Sequence, residues 1–197
     1  MDFNKTACVL ALSALIAAPA YAQSSTAADV QRDANQEQRI DNGLQSGQLN
    51  TREAGQLQHE EAHVDQMEQK ADHNGSVSAH EQSEINAEQN KLSRNINNAK
   101  HNSVTGNPDS KSSKRMQADV QQDASEQQRI ANGMQNGSLS NRETGRLERG
   151  QAHDDRAQST AAANGHVSAS EQQNQQQRDK HQSNQIHKDK HDNDYHG

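Results

Sequence analysis

His59-Glu60-Glu61-Ala62-His63 has a spacing that matches a reaction centre. On a helix its two imidazoles would stand one turn apart, as zinc ligands do, with a glutamate between them for general-base work. Such a centre needs a cleft that excludes water, and the surrounding sequence has few large apolar residues to build one. A zinc peptidase is therefore not expected. The segment 90 residues later, Arg149-Gly150-Gln151-Ala152-His153, keeps a single histidine. Other imidazoles follow at His73 and His80, and His181, His187, His191 and His196 crowd the end of the chain. His187 and His191 would share a helical face. Mixed with Asp189, Asp192 and Asp194, these side chains suit weak binding of Ni, Cu or Zn by local concentration of ligands. The metal candidates are thus His59, His63, His73, His80, His187 and His191. The competing expectation is a solvated, hydrophilic surface with no catalytic residue and no resident cofactor.

A second chemical pattern lies in four recurring segments, at residues 47–53, 75–81, 137–143 and 165–171. Each opens with glycine, has an apolar residue two positions on, and places Asn or Ser three residues before a glutamate. Counting the glycine as position six, twelve-residue windows at 42–53, 70–81, 132–143 and 160–171 end in glutamate with an apolar residue at position eight, as EF-hands do. The early ligand positions are poor. Position three is Leu44, Asp72, Met134 or Ala162, and Lys70 puts a cation at position one of the second window. Helix capping explains the glutamates better. The glycine closes one helix with a positive φ. The Asn or Ser then caps the next helix while the glutamate reaches back to its first amides. Leu49, Val77, Leu139 and Val167 sit just before the cap, where a hydrophobic staple belongs.

These signals divide a duplicated chain. Residues 28–57 and 118–147 are identical at 18 of 30 positions, with the 90-residue offset held throughout. Each copy reads as about three helices, so the expected fold is all-α, a tandem duplicated short helical bundle with coiled-coil-like seams. In the first copy Val30, Ala34, Ile40 and Leu44 mark one side of helix one. Leu57, Val64 and Ala71 recur every seven residues in helix two, with Met67 between; Ile85, Leu92 and Ala99 do so in helix three, with Ile96 between. The second copy keeps Val120, Ile130, Met134 and Leu147. Then its apolar face drains away: Val64 becomes Asp154, Ile85 becomes Gln175 and Leu92 becomes Gln182, and only Ile186 retains the stripe. The second copy and the C-terminal tail are accordingly expected to be partly disordered. The boundaries read as signal 1–22, first helical repeat 23–96, flexible linker 97–117, second repeat 118–186 and a polar His/Asp/Lys tail 187–197.

Composition narrows the function classes. Lys5, an apolar stretch over residues 7–18 and Ala20-Tyr21-Ala22 read as a secretory signal with cleavage before Gln23. Cys8, the one cysteine, lies inside it, so the mature chain has no disulfide chemistry. The apolar run is too short for a membrane anchor, and no integral membrane segment is expected after cleavage. The formal charge is −7, which disfavours nucleic acid as a partner. Trp is absent and Phe occurs once. A thick core is therefore excluded, which leaves thin helical packing, self-association or partial disorder.

The segments at 47–54, 74–81, 137–144 and 164–171 resemble the Gly-x-Leu-Thr-x-x-Glu-Ala and Asp-Gly-x-Val-Ser-x-x-Glu repeats of small uncharacterised exported helical-repeat proteins of proteobacteria, with degenerate EF-hand-like loops. Asn74 and Asn164 stand where those repeats have aspartate, which weakens calcium binding there. The resemblance implies a periplasmic or secreted location and supplies no enzyme activity. The expected function is a non-enzymatic envelope protein that binds a protein partner, self-associates or protects against stress. The alternative is a His-rich periplasmic metal-buffering protein for Ni, Cu or Zn.

Overall fold

Each glycine-led segment ends one helix and starts another. Gly47, Gly75, Gly137 and Gly165 take φ values of 74°, 87°, 75° and 83°, the left-handed region open to glycine at little cost. Asn50, Ser78, Ser140 and Ser168 then accept hydrogen bonds from the amides of Glu53, Glu81, Glu143 and Glu171, whose carboxylates accept from the cap amides in return. All four are complete capping boxes, which accounts for the glutamates without calcium. Leu49, Leu139 and Val167 are buried beside them, and Val77 is half-buried. Replacing Ser140 by alanine is expected to lower the folding free energy by about 1 kcal/mol, read as a lower urea midpoint at unchanged slope.

The computed structural model describes residues 19–192, and these signals delimit its helices. They are α1 (Pro19–Ser46), α2 (Thr51–Asp72), α3 (Ala79–Lys100), α4 (Lys111–Gln135), α5 (Asn141–Ala162) and α6 (Ala169–Asp189). The protein is all-α, with no strand among the described residues. Of the expected signal, residues 1–18 lie outside the described residues, as do Asp194 and His196 of the tail. No described helix is long and apolar enough to cross a membrane.

The principal interfaces join α1 to α4 and α2 to α5. Helix α3 packs on α1 and α2, and α6 on α4 and α5. The α1–α4 pair is antiparallel: the amides of Gln31 and Gln128 exchange hydrogen bonds of 2.8 and 2.7 Å, while Ile40 and Leu44 share a cluster with Met116 and Val120. At α2–α5, glycines permit close approach. A Cβ added to Gly55 would lie 2.5 Å from that of Ala162, and one added to Gly145 would lie 3.0 Å from that of Asp72.

This packing differs from two successive three-helix bundles. The reason is the shortage of apolar residues in either half alone, since Met116, Val120, Ala162 and Val167 complete the cluster built on Ile40, Leu44, Leu57 and Leu92. The expected linker also shortens to 101–110, because α3 continues to Lys100 and α4 starts at Lys111. It is pinned: the Gly106 amide donates to the Gly47 carbonyl at 2.9 Å, and Gln117 Nε2 donates to the Pro108 carbonyl at 3.0 Å.

The expected disorder of the second half is corrected as well. Residues 111–189 contain three long helices, and Asp154, Gln175 and Gln182, read from sequence as solvated replacements of apolar residues, are buried. Hydrogen bonding makes their burial tolerable. Gln182 Nε2 donates to the Leu147 carbonyl at 2.7 Å, and Gln175 Nε2 to Asp179 at 2.8 Å.

Apolar side chains gather into two clusters. One centres on Ile40, Leu44, Leu57, Ile96, Met116 and Val120, and the other on Val30, Ile130, Met134, Leu139, Leu147 and Ile186. Because α1 and α4 are antiparallel, the clusters occupy opposite ends of that pair. The apolar stripe of the first half is spent inside the chain, with Leu57, Val64 and Ile85 all buried. Among the described residues Val104, at 46%, is the large hydrophobic side chain left exposed.

Candidate metal centre

Between the apolar clusters the inward helix faces carry acids and amides. Asp33 and Glu37 stand one turn apart on α1, and Glu61, Asp65, Glu68 and Asp72 form one stripe of α2 at helical spacing. From the other half come Asp123 and Gln127 of α4, with Glu148, Gln151, Asp155 and Gln158 of α5. All these side chains are buried, and no lysine or arginine is buried among the described residues.

Five of the carboxylates converge. Asp33, Glu61 and Asp65 each bring an oxygen within 4.8 Å of the others, and so do Asp65, Glu68 and Glu148. Asp65 belongs to both groups. Two glutamines hold four of the five in place. Gln89 Nε2 donates to Asp33 Oδ1 at 2.7 Å and to Glu68 Oε1 at 3.1 Å. Gln127 Nε2 donates to Asp65 Oδ1 at 3.2 Å and to Glu148 Oε2 at 3.1 Å. Asp33 Oδ2, Asp65 Oδ2, Glu68 Oε2 and Glu148 Oε1 are buried and accept from no N–H or hydroxyl donor among the described residues, while Asp33 faces Glu68, and Asp65 faces Asp155, closely enough to share a proton. Glu61, only 1% exposed, has neither oxygen partnered. One oxygen steered by an amide, with the other turned into the cluster, is how a supporting shell orients carboxylate ligands.

The amides and acids are also exchanged between the halves. In the first half Gln58 Nε2 donates to Glu37 Oε2 at 2.7 Å. Ninety residues on, the identities are reversed, and Gln127 donates to Glu148. Glu68 has Gln158 as its counterpart, and that glutamine donates to Asp123. The exchange thins the acids of the second half, so that copy-one side chains and Glu148 supply the converging set.

Burial makes these acids hard to ionise. Desolvation pushes the Asp33 carboxyl up to about 7 and that of Glu37 up to about 8. It also holds Glu61, Asp65, Glu68 and Glu148 well above the ordinary carboxylate range, and mutual repulsion adds to the shift. A buried ionised carboxylate without a counter-charge is strongly unfavourable, so each of these groups must keep a proton or face a cation. All donors here are hard oxygens, which suit Ca²⁺ or Mn²⁺ and not the softer, nitrogen-preferring metals. Mg²⁺ suits the site less well, because it releases its waters reluctantly and demands a near-ideal octahedron.

The histidines are elsewhere. His59, His63, His73, His80, His187 and His191 are all exposed, and no histidine belongs to a convergent group of three potential ligands among the described residues. His187 and His191 do come together, with ring centroids 4.3 Å apart. In His59-Glu60-Glu61-Ala62-His63 the imidazoles face solvent while Glu61 faces the core. The motif's inward glutamate was therefore the informative residue. The signal available was the stripe Glu61, Asp65, Glu68 and Asp72, which runs beside Val64 and Ala71 and so cannot all point outward.

Comparison with protein-family models, curated proteins and solved structures finds no match to this chain.

Proposed function

We propose that this protein is a non-enzymatic, exported helical protein that binds hard divalent cations in its interior, two positions sharing Asp65 as a bridge. Asp33 and Glu61 complete one position; Glu68 and Glu148 complete the other. The observation that carries this reading is the convergence of five buried carboxylates with no cationic partner among the described residues, above all Glu61, neither of whose oxygens accepts a hydrogen bond there. Two divalent ions would offset most of the charge of five ionised acids, which no buried lysine or arginine among the described residues does. The signal-like residues 1–22 and the resemblance to exported helical-repeat proteins support a periplasmic or secreted setting, where such a protein would buffer or carry these ions.

Calorimetric titration of the metal-stripped protein at pH 7.5 with Ca²⁺, Mn²⁺, Mg²⁺, Ni²⁺ and Zn²⁺ tests it. Two equivalents of Ca²⁺ or Mn²⁺ are expected, unaffected by His59→Ala and His63→Ala. The juxtaposed rings of His187 and His191 favour a second reading, weak surface uptake of Ni, Cu or Zn. Heat from Ni²⁺ or Zn²⁺ alone, abolished by His187→Ala with His191→Ala, would replace the first reading with that one.

A further inference from the structure

The outer face of α5, opposite the side that carries Glu148, has a different chemistry. Arg142, Arg146, Arg149, His153 and Arg156 recur along it at helical spacing, and all but the half-buried Arg156 are exposed. Three depressions follow one another beneath them. The first, of about 640 Å³, is bordered by Arg142, Arg146 and Arg149. A central one of about 910 Å³ shares Arg146 and Arg149 and adds Arg178 and His181 from α6. A third, of about 400 Å³, shares His153 and Arg178 and ends at Arg156. At 1.5 Å per residue the cationic track spans roughly 20 Å.

The first half has no such track. Ninety residues before Arg146, Arg149, Gly150, Asn174 and Arg178 stand Gln56, His59, Glu60, Glu84 and Glu88. Between corresponding grooves, three glutamates have been lost and three arginines gained. The central groove also holds Asp154, which is buried, and Glu143 borders the first depression, 3.7 Å from Arg146. Arg146 also lies 3.6 Å from Asp189. Arg149 and Arg178 make no ion pair among the described residues. Between the cations the central lining is amide, Asn174, Gln177 and Gln185, while the third depression also carries Asp119 and Glu171.

We infer that the α5–α6 groove binds a linear acidic polysaccharide, its arginines engaging sulfate or carboxylate groups and its amides the hydroxyls. Guanidinium forks match both anions bidentately. No Trp, Tyr or Phe lines the track, so the stacking platform that single-stranded nucleic acids use is missing. The site is independent of the buried carboxylates, which occupy the opposite side of α5.

The test titrates the full chain, with and without Mn²⁺, with a heparin-derived hexasaccharide (sulfate-bearing) and a galacturonate hexamer (carboxylate only). A thymidine oligonucleotide of equal charge is the third probe. The variant Arg146→Gln/Arg149→His/Arg178→Glu restores the first-half residues at exposed positions, and circular dichroism confirms its fold. The control Lys91→Glu/Arg94→Glu makes the same change in formal charge on α3. Wild type is expected to bind at least one glycan at low salt more tightly than the oligonucleotide. The triple variant should weaken that binding by about a hundredfold, through loss of three charge-assisted contacts. The control should stay within about threefold. Absence of glycan binding, equal binding of the oligonucleotide, or equal losses in variant and control would each overturn the inference.

Discussion

Stripped of metal, the protein is expected to lose stability as pH rises from 5 to 8, and saturating Mn²⁺ is expected to restore it. In the unfolded chain these aspartates and glutamates release their protons near 3.8 and 4.5. In the folded chain burial holds Asp33 up to about 7, and Glu37, Asp72, Asp119 and Glu126 up to about 8. The folded state therefore keeps protons that the unfolded state sheds. The stability these groups contribute is complete below their unfolded values and is lost as pH climbs through the folded ones. Asp33 alone, moved from 3.8 to about 7, corresponds to roughly 4 kcal/mol. The acids share one neighbourhood, so their effects do not simply add. A fall in melting temperature of about 10 °C or more is the expected size in a chelating buffer. A cation that binds only the folded state reverses it by mass action. A melting temperature that is flat or rising over this range would contradict the account.

The second large effect has the sign opposite to most core substitutions. Glu61→Gln combined with Asp65→Asn keeps size and shape but removes two of the buried acids that are hardest to ionise. Without metal at pH 8 the double variant is expected to be more stable than wild type by about 3 kcal/mol, because neutral amides need no counter-charge. Its pH dependence should flatten, and uptake of Ca²⁺ or Mn²⁺ should vanish with loss of the shared ligand Asp65. Urea denaturation at pH 5 and pH 8, with and without Mn²⁺, reads all three. A variant less stable than wild type at pH 8 without metal would show that these acids serve as hydrogen-bonded structural pairs and not as cation ligands.

The helix boundaries were legible because the connecting segments carry their own chemistry. A glycine that turns the chain and an Asn or Ser three residues before a glutamate act locally, whatever packs around them. The apolar stripes were legible for the same reason, and Val30, Ile40, Leu57, Val64, Leu92 and Ile96 are all buried. How the halves meet was not legible. A repeat defines a unit but not its mate, and the antiparallel seating of α1 on α4 depends on Met116, Val120, Ile40 and Leu44 filling one space together.

The acidic cluster is not legible in the sequence, because polarity there reads as exposure. Glu61, Asp65 and Glu68 are acids in a chain of high charge, and taken singly each belongs in water. Only their shared stripe with Val64 and Ala71, and the amides of Gln89 and Gln127 that reach Glu68 and Asp65 from α3 and α4, show them to be interior. Sequence spacing drew attention to His59 and His63, which sit on the solvent side of the same helix as Glu61.

Diffraction from crystals grown with Mn²⁺, recorded at an energy where manganese scatters anomalously, would locate any ion held among the buried acids. Two anomalous peaks are expected on either side of Asp65, one reached by Asp33 and Glu61 and the other by Glu68 and Glu148. Peaks only beside the exposed imidazoles, or a protein interior without any peak at saturating Mn²⁺, would contradict cation binding in the interior.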